Sequence, residues 1–136
     1  MWKKVRQFLT GGDNFKMPET SEQSTNFAPV TDVEALDDLL ARSHDAPVII
    51  FKHSTTCPIS SRAHGQMSQV APGAGGQISL VIVQRAQELS RRVAEQTGLQ
   101  HESPQVIVLR NGGVVWSASH FDITTEAVEK AVRENA

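Results

Sequence analysis

Cys57 is the only thiol of the chain, and it stands in the run His53-Ser54-Thr55-Thr56-Cys57-Pro58-Ile59-Ser60. A thiol becomes a strong nucleophile when it ionises, and its free pKa of about 8.5 falls to roughly 3.5 to 7.5 when a helix N-terminus or a cation faces the sulfur. The apolar run Val48 to Phe51 reads as a strand, the polar residues up to Thr55 and Thr56 as a loop, and Ala63, Met67 and Val70 as one face of a following helix. Pro58 suits the first turn of that helix, where a missing N–H leaves no bond unmade. The sulfur of Cys57 is therefore expected among the unpaired first-turn amides and at the positive end of the helix dipole. Lys52 and His53, read here as loop residues, are expected to add positive charge. Without this position a lone cysteine would read as a small buried hydrophobe.

Ser60 occupies the place where a Cys-x-x-Cys oxidoreductase carries its second thiol. A serine cannot attack a mixed disulfide, so a disulfide made at Cys57 must wait for an outside thiol, and the chemistry is monothiol exchange. Ser60 is left with two readings, a hydrogen-bond donor to the thiolate or an ordinary polar residue of the first turn. His53, His101 and His120 come from separate loops, and with Cys57 their spacing matches no zinc signature, so no metal site is assigned.

These side chains need elements to hold them. Thr31 and Glu34 have capping-box spacing, and Val33, Leu36, Leu39 and Leu40 recur at helical intervals, which predicts a helix over 32–42. Ile78 to Val83 predicts a second buried strand, and 88–97 a helix ended by Gly98. Val106 to Leu109 and Val114 to Trp116 flank Asn111-Gly112-Gly113 and predict a hairpin, and Thr124 or Asp122 can cap a last helix bearing Ala127, Val128, Ala131 and Val132. The order α, β, α, β, α, β, β, α implies an α/β domain with a central mixed sheet of about four strands flanked by helices, the thioredoxin-like arrangement. In that fold a cis proline lies opposite the cysteine. Pro104, at the head of a strand, is expected to follow a cis Ser103–Pro104 bond, and Ser103 to offer backbone contacts to a thiol substrate.

Residues 10–26 are polar and interrupted by Gly and Pro, so the chain divides into 1–26, a short N-terminal helix with a linker, and 27–136, the folded domain. Trp2, Val5, Phe8 and Leu9 share one face of that short helix, but two turns bury too little for stable membrane insertion. A net charge of −2 without a basic field argues against nucleic acid as a partner. With one cysteine no intramolecular disulfide can form, which suits a reducing cytoplasm.

HSTTCPIS (53–60), GLQHESPQVIVLRNGGVVW (98–116) and SHFDIT (119–124) together resemble the YtxJ family of monothiol bacilliredoxins, from about residue 28 onwards. The resemblance implies a thiol-disulfide oxidoreductase that removes bacillithiol from S-bacillithiolated client proteins with Cys57 as nucleophile. It implies no bound cofactor, bacillithiol serving as co-substrate, and a second low-molecular-weight thiol or an upstream thiol reductant as the partner that resets Cys57. Bacillithiol carries carboxylates, for which Lys52, Arg62, Arg85 and the helix N-terminus near Thr124 are candidate partners. The substrate-binding set expected around Cys57 is Lys52, Thr55, Thr56, Pro58, Ser60, Ser103, Pro104 and His120. Phe121 stands where the resemblance leads one to expect tryptophan, and the N-terminal segment is an extension. Two other classes remain beside this one: iron–sulfur cluster binding like that of monothiol glutaredoxins, and a redox-silent adaptor on the same fold.

Overall fold

The computed structural model describes residues 26–71 and 77–136, so the helix and linker expected over 1–26 lie outside the described residues up to Asn26. Strand β2 (Val48–His53) is central. It pairs in parallel with β3 (Ile78–Ile82) and antiparallel with β4 (Gln105–Arg110), which pairs antiparallel with β5 (Gly113–Ser119). A further edge strand, β1 (Phe27–Pro29), pairs in parallel with β3 and gives the order β1-β3-β2-β4-β5. The sheet thus has five strands. β1 carries no alternating pattern because it is three residues long, and its proline is tolerated at a sheet edge.

The helices lie on both faces. Residues Ile49 and Phe51 of β2 pack under α2 (Pro58–Met67) and α4 (Thr125–Glu134), and Val48 and Ile50 under α1 (Glu34–Arg42) and α3 (Gln87–Thr97). Coverage on both faces explains why β2 and β4 read as unbroken apolar runs. Each fully buried Ile, Leu or Phe of these runs contributes about 1.5–3 kcal/mol.

α1 begins two residues later than the spacing predicts, and its N-cap is Val33, without a side-chain cap. The Thr31–Glu34 capping box does not form. The amide of Val30 bonds to the carbonyl of Leu80 at 3.0 Å, which keeps the chain extended along β3 and delays the turn into the helix. The other punctuation matches expectation. Gly98 takes the left-handed cap of α3 at φ 74°, Asn111 and Gly112 both have positive φ in the hairpin turn, and Thr124 caps α4 by accepting the amide of Ala127.

Candidate functional site

β2 and β3 end at the same edge of the sheet, where β4 begins: Lys52 pairs with Gln105, and His53 with Ile82. The Cys57 loop leaves β2 there, and the segment bearing Ser103 and Pro104 enters β4 there. The Ser103–Pro104 bond is cis. β5 returns to this edge, and a single 3-10 turn, His120–Asp122, closes it, with the amide of His120 bonded to the carbonyl of Pro104 at 3.1 Å. The Cys57 loop, the proline and the turn therefore share one end of the molecule.

Cys57 is the N-cap of α2, with extended backbone and a partly exposed side chain. Its carbonyl accepts the amide of Ser61 at 3.0 Å, Pro58 fills the first helical position, and the amides of Ile59 and Ser60 are first-turn donors with no helical partner four residues back. Thr55 and Thr56 are exposed, and Gln84, just past β3, clamps their loop. Gln84 accepts the Thr55 amide at 3.3 Å and donates to the hydroxyls of Ser54 and Thr56 at 2.9 and 3.2 Å. The sequence holds no periodic signal for Gln84, since its role arises only when β3 lies beside β2.

Lys52 and His53 are corrected by the structure. Both belong to β2 rather than to the loop, and both are buried. Adjacent strand residues point to opposite faces, so His53 lies under α2 while Lys52 lies on the α1/α3 face. His53 packs beside His64 with the rings tilted, 4.9 Å between centroids, and His64 in turn stacks on Phe27 at 4.6 Å. Burial, with the neighbouring His64, holds the His53 imidazole down to about 4, so at neutral pH it brings no positive charge to the sulfur. Burial also lowers His64.

Ser60 is fully buried, and its hydroxyl is committed: Oγ accepts the Ser54 amide at 2.9 Å and lies 2.7 Å from His53 Nδ1. Which of the two atoms donates is set by the tautomer of the ring. Of the two readings of Ser60, donor to the thiolate or ordinary polar residue of the first turn, neither anticipates this buried bond to His53. It pins the first turn of α2 to β2.

Lys52 is fully buried, its Nζ donating to His101 Nδ1 at 3.1 Å, and burial lowers it to about 8. The expected ion pair between Lys52 and a carboxylate of the thiol substrate has no room in this arrangement. His53, His101 and His120 do not converge: they lie respectively beneath α2, against Lys52, and 3.7 Å from Glu102. Arg62, on α2, donates to the carbonyl of Ile123 at 3.3 Å and lies over the exposed ring of Phe121, 5.4 Å from its centroid. The hydroxyl of Ser103 is buried and has no hydrogen-bond partner among the described residues.

A partly exposed thiol at a helix N-cap, a serine three residues on and a cis proline at the head of β4 are the arrangement of a one-thiol redox site. The family model described as monothiol bacilliredoxin BrxC matches residues 28–128. The chain belongs to the monothiol bacilliredoxin family. Among solved structures, one described as having a thioredoxin fold is 28% identical at a TM-score of 0.73, with 80% of this chain and 96% of that one covered. The thioredoxin of Fasciola hepatica is 10% identical at a TM-score of 0.62, over 79% of this chain and 98% of that one. The Schistosoma mansoni thioredoxin pre-protein is 15% identical at 0.64, over 82% and 99%. The last two establish the fold alone. Family membership and the thioredoxin fold together make this an oxidoreductase acting in thiol redox chemistry. Among the described residues no helix is long and apolar enough to cross a membrane.

Proposed function

We propose that this protein removes bacillithiol from mixed disulfides on client proteins in a reducing cytoplasm, with Cys57 as the nucleophile. The Cys57 thiolate attacks the bacillithiol sulfur, the bond to the client sulfur breaks, and the client leaves as a thiolate that takes a proton from water. Cys57 is then held as a mixed disulfide with bacillithiol. A second thiol attacks that disulfide, leaving with the bacillithiol as a new disulfide and restoring Cys57. Bacillithiol is a co-substrate in this cycle and not a bound cofactor.

The observation that carries the reading is the commitment of Ser60. The position of a resolving thiol holds a buried hydroxyl locked to His53, so the capped Cys57 has no internal route to release. The backbone of Ser103 is the group offered here for contact with the incoming disulfide, and Arg62 the cation for its carboxylates.

The test exposes the reduced protein and Cys57→Ser to a client protein capped with bacillithiol, followed by intact-mass spectrometry of both partners. The expected result is transfer of the bacillithiol mass to Cys57, its removal by added thiol, and no transfer in the variant. Equal uncapping by Cys57→Ser, or faster uncapping of a glutathione-capped client, overturns the nucleophile or the thiol assignment respectively.

A further inference from the structure

The ammonium of Lys52 is an odd group to bury. Among the described residues it meets no carboxylate, and its hydrogen-bond partner is the imidazole of His101. Removing an ammonium from water without a counter-charge is unfavourable by several kcal/mol, and an apolar side chain would suit a strand that begins Val48-Ile49-Ile50-Phe51. Stability therefore gives no reason for a lysine at this position.

Register supplies one. Lys52 lies directly across from Gln105, so the two side chains emerge on the same face of the sheet. Lys52 takes His101. Gln105, also buried, donates to the carbonyl of Gln100 at 3.1 Å and accepts the amide of Glu102 at 3.4 Å. Ser90 of α3 lies 3.3 Å from the same His101 nitrogen that Lys52 holds. Gln100, His101 and Glu102 are thus each gripped, from β2, α3 and β4, and the residues that follow them are Ser103 and Pro104. Lysine is long enough to reach from the sheet to this segment while leaving its backbone outside the core.

We infer that Lys52 and Gln105, with Ser90, are positioning residues that act through His101 and its neighbours to set where Ser103 and Pro104 stand against the thiol of Cys57. The inference rests on disulfide exchange at Cys57. It assigns the His-Glu-Ser-Pro run a physical division of labour: the first residues are held, and the last two are presented.

The experiment compares two rates in the full-length protein. Exchange with a client mixed disulfide needs the presented segment, whereas alkylation of Cys57 by iodoacetamide needs only the sulfur. In Lys52→Met, exchange is expected to fall about tenfold or more, as reacting groups displaced by a fraction of an ångström do, with alkylation changed by less than about twofold and thermal stability not lowered. His101→Ala is expected to lose exchange to a similar degree. His101→Asn, which keeps an acceptor near the Nδ1 position, is expected to recover it to within about threefold of wild type. Because His101 is itself exposed, the alanine and asparagine pair decides the matter even if Lys52→Met fails to fold. Wild-type exchange in both Lys52→Met and His101→Ala overturns the inference, as does a parallel loss of alkylation, which would place the effect on the sulfur itself. A wild-type protein that exchanges with neither a bacillithiol-capped nor a glutathione-capped client overturns the proposed function and this inference with it.

Discussion

Lowering the pH from neutral tests how the Cys57 helix is seated. His53 is 7% exposed, and burial first, then His64, holds it at about 4, opposed by a hydrogen bond to the backbone of Ser60. In the unfolded chain the same imidazole protonates near 6.5. Between these values the unfolded state binds a proton that the folded state refuses, so stability is intact above 6.5 and is lost as pH falls towards 4. The complete gap corresponds to about 3 kcal/mol, of which about 2 kcal/mol is gone at pH 5. Urea unfolding followed by far-UV circular dichroism at pH 7 and pH 5 measures it by linear extrapolation. His53→Asn keeps an amide near the Nδ1 position but cannot ionise. It should be less stable at both pH values, because part of the ring volume is left empty, and should lose most of the slope between them. Equal wild-type stability at the two pH values, or an undiminished slope in His53→Asn, would refute a neutral imidazole beneath α2.

Two further outcomes follow from the same face-by-face placement. Ser60→Cys should convert the site to dithiol chemistry: after capping, the introduced thiol expels the low-molecular-weight thiol and leaves an internal disulfide, seen by intact mass without added reductant. The change should also lower stability by about 1–3 kcal/mol through loss of the bonds to His53 and Ser54, and a cap that persists would show the two sulfurs cannot meet. Lys52, lowered to about 8 by burial, makes the folded state shed a proton that the unfolded chain keeps until about 10.5. Raising the pH through that window should therefore stabilise the wild type relative to Lys52→Met by about 3 kcal/mol, and parallel stability curves for the two proteins would contradict it.

Most of the fold is legible in the chain because its signals are local. The buried runs of β2, β3 and β4, the Asn111-Gly112 turn, the Gly98 cap and the Thr124 cap each depend on a few neighbouring residues. β1 escapes notice because three residues have no period, and the start of α1 is displaced by a bond from Val30 to Leu80 of β3, far away in the chain. Gln84 is invisible for the same reason.

The sequence by itself determined the chemistry: one thiol, a proline behind it, a serine where a second thiol would stand, and a strand-to-helix junction that makes Cys57 an N-cap. Side-chain type and short-range spacing suffice for that. What only the tertiary structure decided is which polar residues serve the sulfur and which serve the scaffold. Lys52 and His53 are adjacent in the chain, yet the pleat sends them to opposite faces, one to hold the His101 segment and one to lock Ser60. Their long-range partners lie on α3, α2 and the segment before β4. The pairing of distant strands, which local preference does not encode, brings those partners to the same edge of the sheet.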